Sequence, residues 1–165
     1  MKLFALLQPL LLAVGGRKPT HWFIDGNNFL AHGKTVKDKD ALVGVLSDVP
    51  LAEELILVFD GKRDGSVETS IETLGNLKTV CLGQGMISDD YIQEEISKLQ
   101  QDPVKKRKHR VNVVSADRAL RKKVTTNYRP MVRTVVNPVT FFKRYLPRLK
   151  GVKGPNENEP KAPEF

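Results

Sequence analysis

The chain has 165 residues, of which 40% are apolar and 28% charged, and its formal net charge is +8. This length suits one domain with a sizeable core, and the composition is ordinary for a soluble globular protein. The single cysteine, Cys81, excludes an intramolecular disulfide framework and a cysteine-rich zinc site. Its apolar surroundings favour a buried, inert thiol over a nucleophile.

The charge is unevenly distributed along the chain. Residues 1–100 carry a net charge of −4, whereas residues 101–165 carry +12. Basic clusters attract phosphate backbones largely without regard to sequence. We therefore expect a nucleic acid as partner; a solvated basic surface without a partner, or an electrostatic tether to another molecule, is the alternative.

Residues 1–16 (MKLFALLQPLLLAVGG) have the outline of a signal or organelle-targeting segment. One lysine precedes a mostly apolar run, and small residues follow that run, as in a signal peptide. The run is too short for a membrane span. An N-terminal helix or strand that packs on the domain is the alternative, and the protein would then be cytoplasmic. No other segment of the sequence could cross a membrane.

Strands and helices alternate through residues 19–150, the predicted domain. We predict strands at 21–25, 55–59, 77–82, 111–114 and 131–136, and helices at 38–48, 89–101, 117–124 and 138–149. Residues 61–75 are predicted to form a loop with room for a short helix, 105–110 (KKRKHR) a basic loop, and 151–165 a disordered tail. This alternation predicts an α/β fold with a mostly parallel central sheet between two helical layers.

Four apolar runs lead into aspartates: Asp25, Asp60 and Asp117 at strand ends, and Asp89 at a helix start. Each aspartate has an ordinary explanation by itself, as a helix cap or a turn residue. Ligands of α/β sheets collect beyond the carboxyl ends of the strands, where these side chains would meet. Clustered carboxylates repel one another unless a cation lies among them, so the pattern predicts a hard divalent cation such as Mg²⁺.

These motifs, in this order, resemble those of the PIN-like nucleases, specifically the NYN domains of the YacP-like type. The similarity covers residues 21–149, through FIDGNNFL, LILVFDGKRDG, NLKTVCLGQGMISDDYIQEEI, VNVVSADRALRKKV and NPVTFFKRYL. It implies a three-layer PIN-like (Rossmann-like) domain with the activity of a metal-dependent endoribonuclease.

The resemblance also implies a set of site residues. Mg²⁺ or Mn²⁺ would be bound by Asp25, Asp60, Asp89 and Asp117, with Asp90 as a further candidate. Asn28 would brace the turn or a ligand, and Ser115 would support the site beside Asp117. Ser88 departs mildly from the small residue that the family usually has before the helix-start aspartate.

Several basic residues are candidates for RNA binding. Lys62 and Arg63 follow Asp60 directly, and Arg118, Arg121 and Lys122 follow Asp117. KKRKHR precedes the fourth predicted strand and should lie at the far end of the sheet from Asp117. For each of these residues, a solvated surface charge is the alternative.

Three other functions remain open at this stage. The same fold could be a catalytically weak or inactive module that binds RNA or a ribonucleoprotein, or a nuclease directed at DNA. A ribonuclease with paired histidines would require His21 or His32 to meet another base, which no sequence pattern indicates. A phosphate-binding loop of the G-x-x-x-x-G-K-[ST] type is absent from the sequence. The RNA, its association with a ribosome and the oligomeric state also remain open.

Overall fold

The computed structural model describes residues 19–32, 36–50 and 53–151. The predicted targeting segment (1–16) and the predicted tail beyond residue 151 lie outside these residues. In the described part, no helix has both the length and the apolar character needed to span a membrane.

The described chain alternates between strands and helices. The strands are β1 (Thr20–Asp25), β2 (Glu53–Phe59), β3 (Ser70–Leu74), β4 (Leu77–Cys81), β5 (Arg110–Val114) and β6 (Val132–Val136). The helices are α1 (Gly26–His32), α2 (Lys39–Leu46), α3 (Ser88–Gln101), α4 (Pro103–Lys108), α5 (Arg118–Asn127), α6 (Pro138–Thr140), the π-helical π1 (Phe141–Tyr145) and α7 (Leu146–Leu149).

The six strands form one sheet in the order β3-β4-β2-β1-β5-β6. All neighbouring pairs are parallel except β3 and β4. The predicted α/β fold with a mostly parallel sheet is therefore confirmed. Strands β1, β2, β4, β5 and β6 run in the same direction, so their carboxyl ends lie together. We call this end of the sheet, which is formed by strand ends and not by an outer strand, the carboxyl edge.

Helices cover both faces of the sheet and form two separate cores. On one face, Trp22, Ile24 and Leu57 pack with Phe29 of α1 and Phe141 of π1. On the other face, the cluster joins sheet residues to α3 and α5; its members include Phe23, Val58, Val113, Ile92, Ile96, Leu120 and Val124. Successive strand residues point to opposite faces, so continuous apolar runs fit a sheet that is buried on both sides.

Two predicted loops contain regular secondary structure. Residues 61–75 contain β3, an edge strand whose five residues are all exposed, so no buried face produced an alternating pattern. Residues 105–110 contain the end of α4, which Asp102 caps, and the start of β5. Helix α1 was not predicted, whereas the helix predicted at 138–149 is confirmed, with π1 as its middle part.

Candidate metal centre

Three of the four predicted aspartates lie at the carboxyl edge around β1. Asp25 is the last residue of β1 and only 7% exposed. Asp60 follows β2 directly, and Asp117 follows β5 as the N-cap of α5. Since β2 and β5 flank β1, the three aspartates belong to neighbouring strands. After β1 the chain passes to one face of the sheet, and after β5 to the other, which is the arrangement of a ligand-binding crevice in α/β folds.

Ser88 connects two of these carboxylates. Its hydroxyl donates a hydrogen bond to Asp25 Oδ1 at 3.2 Å, and its backbone N–H donates to Asp60 Oδ1 at 2.7 Å. The first turn of a helix has N–H groups without partners inside the helix. Asp60, which is distant in sequence, caps one of these groups in α3. The N-cap residue of α3 is Ile87, and Ser88 is the buried first residue of the helix.

Two adjacent asparagines hold the loops that carry the other aspartates. Asn27 Oδ1 accepts a hydrogen bond from Asp60 N–H at 2.8 Å, and Asn28 Oδ1 accepts one from Ala116 N–H at 2.7 Å. Asn28 N–H also donates to Asp25 Oδ1 at 3.3 Å. The bracing role predicted for Asn28 thus has a structural basis, whereas the role of Asn27 was missed.

Ser115 hydrogen-bonds to the backbone of the third aspartate. Its side chain is fully buried, and its hydroxyl oxygen accepts a hydrogen bond from Asp117 N–H at 3.1 Å. Asp117 Oδ1 in turn accepts from Ala119 N–H at 2.8 Å, which closes the N-terminus of α5. Ser115 therefore holds the backbone of Asp117, and the first N–H groups of α5 orient its carboxylate.

Close backbone contacts explain the glycines beside Asp60. A Cβ atom on Gly61 would lie 1.8 Å from the carbonyl oxygen of Gly83, and one on Gly83 would lie 2.3 Å from that of Val67. The loops that follow β2 and β4 can approach each other only because both positions are glycine. Their contact determines where the chain leaves Asp60.

The carboxylates at this edge interact electrostatically. The pKa of Asp25 is raised above its ordinary value, mainly because burial disfavours the charged form, and further because the charges of Asp60 and Asp117 repel it. The hydrogen bonds from Asn28 and Ser88 act in the opposite direction. Asp25 is therefore a buried acid that a nearby cation would stabilise in its charged form.

The donor set suits a hard divalent cation. Asp25, Asp60 and Asp117 supply only oxygen atoms, which Mg²⁺ and Mn²⁺ prefer. In each of them the hydrogen bonds from the described residues end on Oδ1, so Oδ2 remains available to a ligand. Within residues 19–32, 36–50 and 53–151, however, no three acidic, histidine or cysteine side chains already lie at metal-binding separation. A shared ion would therefore require these side chains to move.

The structure places the helix-start aspartates differently. Asp89 Oδ2 lies 3.6 Å from Lys123 Nζ, and its Oδ1 accepts a hydrogen bond from Gln93. Asp89 is therefore engaged with α5 and with its own helix. Asp90 is exposed in the first turn of α3.

The predicted RNA-binding residues fall into two groups. Lys62 and Arg63 are exposed directly after Asp60, and Arg118 is exposed at the start of α5. Arg121 and Lys122 lie one turn further along α5 and line a groove next to β6. As expected, KKRKHR lies at the edge opposite Asp117, because it leads into the start of β5.

The structure corrects the expectation that the histidines lack partner bases. His21 Nε2 lies 2.6 Å from His109 Nδ1, and His21 Nδ1 lies 2.9 Å from Glu54 Oε2. Eighty-eight residues separate the two histidines, so no local pattern could indicate this contact. The pair lies at the starts of β1 and β5, on the edge opposite the aspartates.

Comparisons with known proteins found no family model, no curated protein and no solved structure that matches this chain.

Proposed function

We propose that this protein is a divalent-metal-dependent endoribonuclease that hydrolyses RNA phosphodiester bonds at the carboxyl edge. The observation that carries the proposal is the convergence of Asp25, Asp60 and Asp117, with Asp25 buried and repelled by the other two. The mutual repulsion of these carboxylates destabilises the fold unless a cation offsets it. The motif resemblance to YacP-like NYN domains supports the same reading.

Asp25, Asp60 and Asp117 would hold Mg²⁺ or Mn²⁺. When bound, such an ion makes a water molecule nucleophilic near neutral pH and stabilises the charge that develops at phosphorus. Ser88, Asn27 and Asn28 keep the carboxylates in place through the hydrogen bonds described above.

Asp89 is the fourth ligand that the resemblance implies. To serve as one, it would exchange its ion pair with Lys123 for the metal, since Oδ2 makes that pair. Lys62, Arg63 and Arg118 are exposed next to Asp60 and Asp117, where they would contact the phosphates that flank the cleaved bond.

Cleavage of a labelled RNA by the full chain tests the proposal. The assay compares Mn²⁺, Mg²⁺ and EDTA, with Asp25→Asn and Asp117→Asn as site variants. Asp102→Asn is the matched control, because it removes a carboxylate at the opposite edge while asparagine still caps α4. We expect metal-dependent cleavage that both site variants lose and the control retains.

Two results would reject the proposal. Cleavage that persists in EDTA or in Asp25→Asn would exclude the aspartates as the catalytic centre. RNA binding without cleavage in any metal would instead favour a binding module of the same fold.

A further inference from the structure

A basic groove lies between α5 and β6, with a volume of about 640 Å³. We define the basic groove by its four cations: Arg121 and Lys122 on α5, Arg129 after α5, and Arg133 on β6. Two threonines of α5 also line it. Among the described residues, no acidic and no aromatic side chain lines this groove.

The four cations have no acidic partner in the described part of the chain. Lys78, Lys98 and Lys123 all form ion pairs, whereas Arg121, Lys122, Arg129 and Arg133 form none with the described residues. Like charges that line one groove repel one another. A polyanion in the groove would be attracted by all four cations, and this attraction would offset their mutual repulsion.

The basic groove leads away from the carboxyl edge. Helix α5 begins at Asp117 on that edge, and β6 ends on the same edge because it is parallel to β5. The ten residues of α5 rise about 15 Å at about 1.5 Å per residue. At about 3.4 Å per nucleotide of a stacked strand, this length matches about four nucleotides.

We propose that the basic groove binds the phosphate backbone of single-stranded RNA on one side of the bond to be cleaved. This inference rests on the proposed function, because the rest of the strand would lie at the aspartates. Guanidinium groups bind phosphate oxygens in a bidentate manner, and a groove between one helix and one strand accepts one backbone. Since no aromatic side chain lines the groove, bases do not stack on the protein there and binding is independent of sequence.

RNA binding by the full chain tests this inference. Fluorescence anisotropy would measure the affinity for a labelled 12-nucleotide RNA of mixed sequence, in EDTA and over a range of KCl concentrations. The double variant Arg129→Gln/Arg133→Gln changes two exposed residues of the groove. The matched control is Lys143→Gln/Arg144→Gln, which removes two exposed charges from π1 on the other face of the sheet.

Counterion release sets the expected size of the effect. For single strands, the slope of log K against log [salt] falls by about 0.7 for each lost phosphate contact, so the groove variant should lose about 1.4 from this slope. If the variant and the wild type bind equally at 1 M salt, this difference in slope makes the variant bind about 25-fold more weakly than the wild type at 0.1 M salt. The control variant should retain the wild-type affinity and slope.

The outcomes separate this inference from the proposed function. Weaker RNA binding of the groove variant alone supports the groove, even if the wild-type chain cleaves no RNA in any metal. An active wild-type enzyme whose groove variant binds like the control would overturn only the groove. Loss of binding to phosphatidylserine vesicles, without any loss of RNA binding, would also overturn it and indicate a membrane surface as the partner.

Discussion

The Ser88 hydroxyl is the most informative single group at the carboxyl edge, because it joins the buried Asp25 to the start of α3. We predict that Ser88→Ala lowers the free energy of unfolding by about 2 kcal/mol at pH 7. This magnitude follows from one buried hydrogen bond of 3.2 Å to a carboxylate, since bonds to charged groups contribute about 1.5–3 kcal/mol. Asp25 retains its bond from Asn28 N–H, so the carboxylate is not left without a donor.

Urea denaturation and thermal unfolding of the full chain would measure this loss. A change of about 2 kcal/mol corresponds to a decrease in Tm of about 4–8 °C for a domain of this size. Ser97→Ala is the matched control, because it is the same substitution in the same helix, away from the aspartates, and it should be nearly neutral. Equal stability of the two variants would refute the structural role assigned to the Ser88 hydroxyl.

Two further predictions concern the backbone and the opposite edge. Gly61→Ala should destabilise the protein by at least about 2 kcal/mol, because the new Cβ atom would overlap Gly83 O. The new Cβ atom of Gly44→Ala, in α2, meets no atom within 4 Å, so this variant should be more stable by up to about 1 kcal/mol. Chemical denaturation would measure the stability of both variants. The hydrogen bond with His21, together with the ion pair to Lys78, lowers the pKa of Glu54 to about 2. The stability that Glu54 adds relative to Glu54→Gln should therefore be full above the ordinary pKa of 4.5 and vanish as the pH falls towards 2. A stability difference that does not change between pH 6 and pH 2 would contradict this assignment.

The parallel strands and their terminal aspartates could be predicted because both signals are local. A strand buried on two faces requires a continuous apolar run, as in LILVF, and the next residue lies at the carboxyl edge whatever the rest of the chain does. Asp25, Asp60 and Asp117 were therefore placed correctly on this edge without tertiary information.

The connections between these aspartates could not be predicted, because they join residues that are distant in sequence. Ser88 reaches Asp25 across 63 positions, and Asn28 reaches Ala116 across 88. These contacts arise only after the sheet places the end of β1 beside the starts of α3 and α5. Strand β3 was missed for a different reason, since an exposed edge strand buries no face and carries no periodic pattern.

Binding of Mn²⁺ tests the central claim most directly, because it does not depend on knowing the RNA substrate. Free Mn²⁺ can be measured by electron paramagnetic resonance during titration with the full chain, with Asp25→Asn, and with the control Asp102→Asn. We expect the wild-type chain and the control to remove Mn²⁺ from solution and Asp25→Asn to do so far less. Equal binding by Asp25→Asn, or no binding by the wild-type chain, would contradict a metal centre at the carboxyl edge.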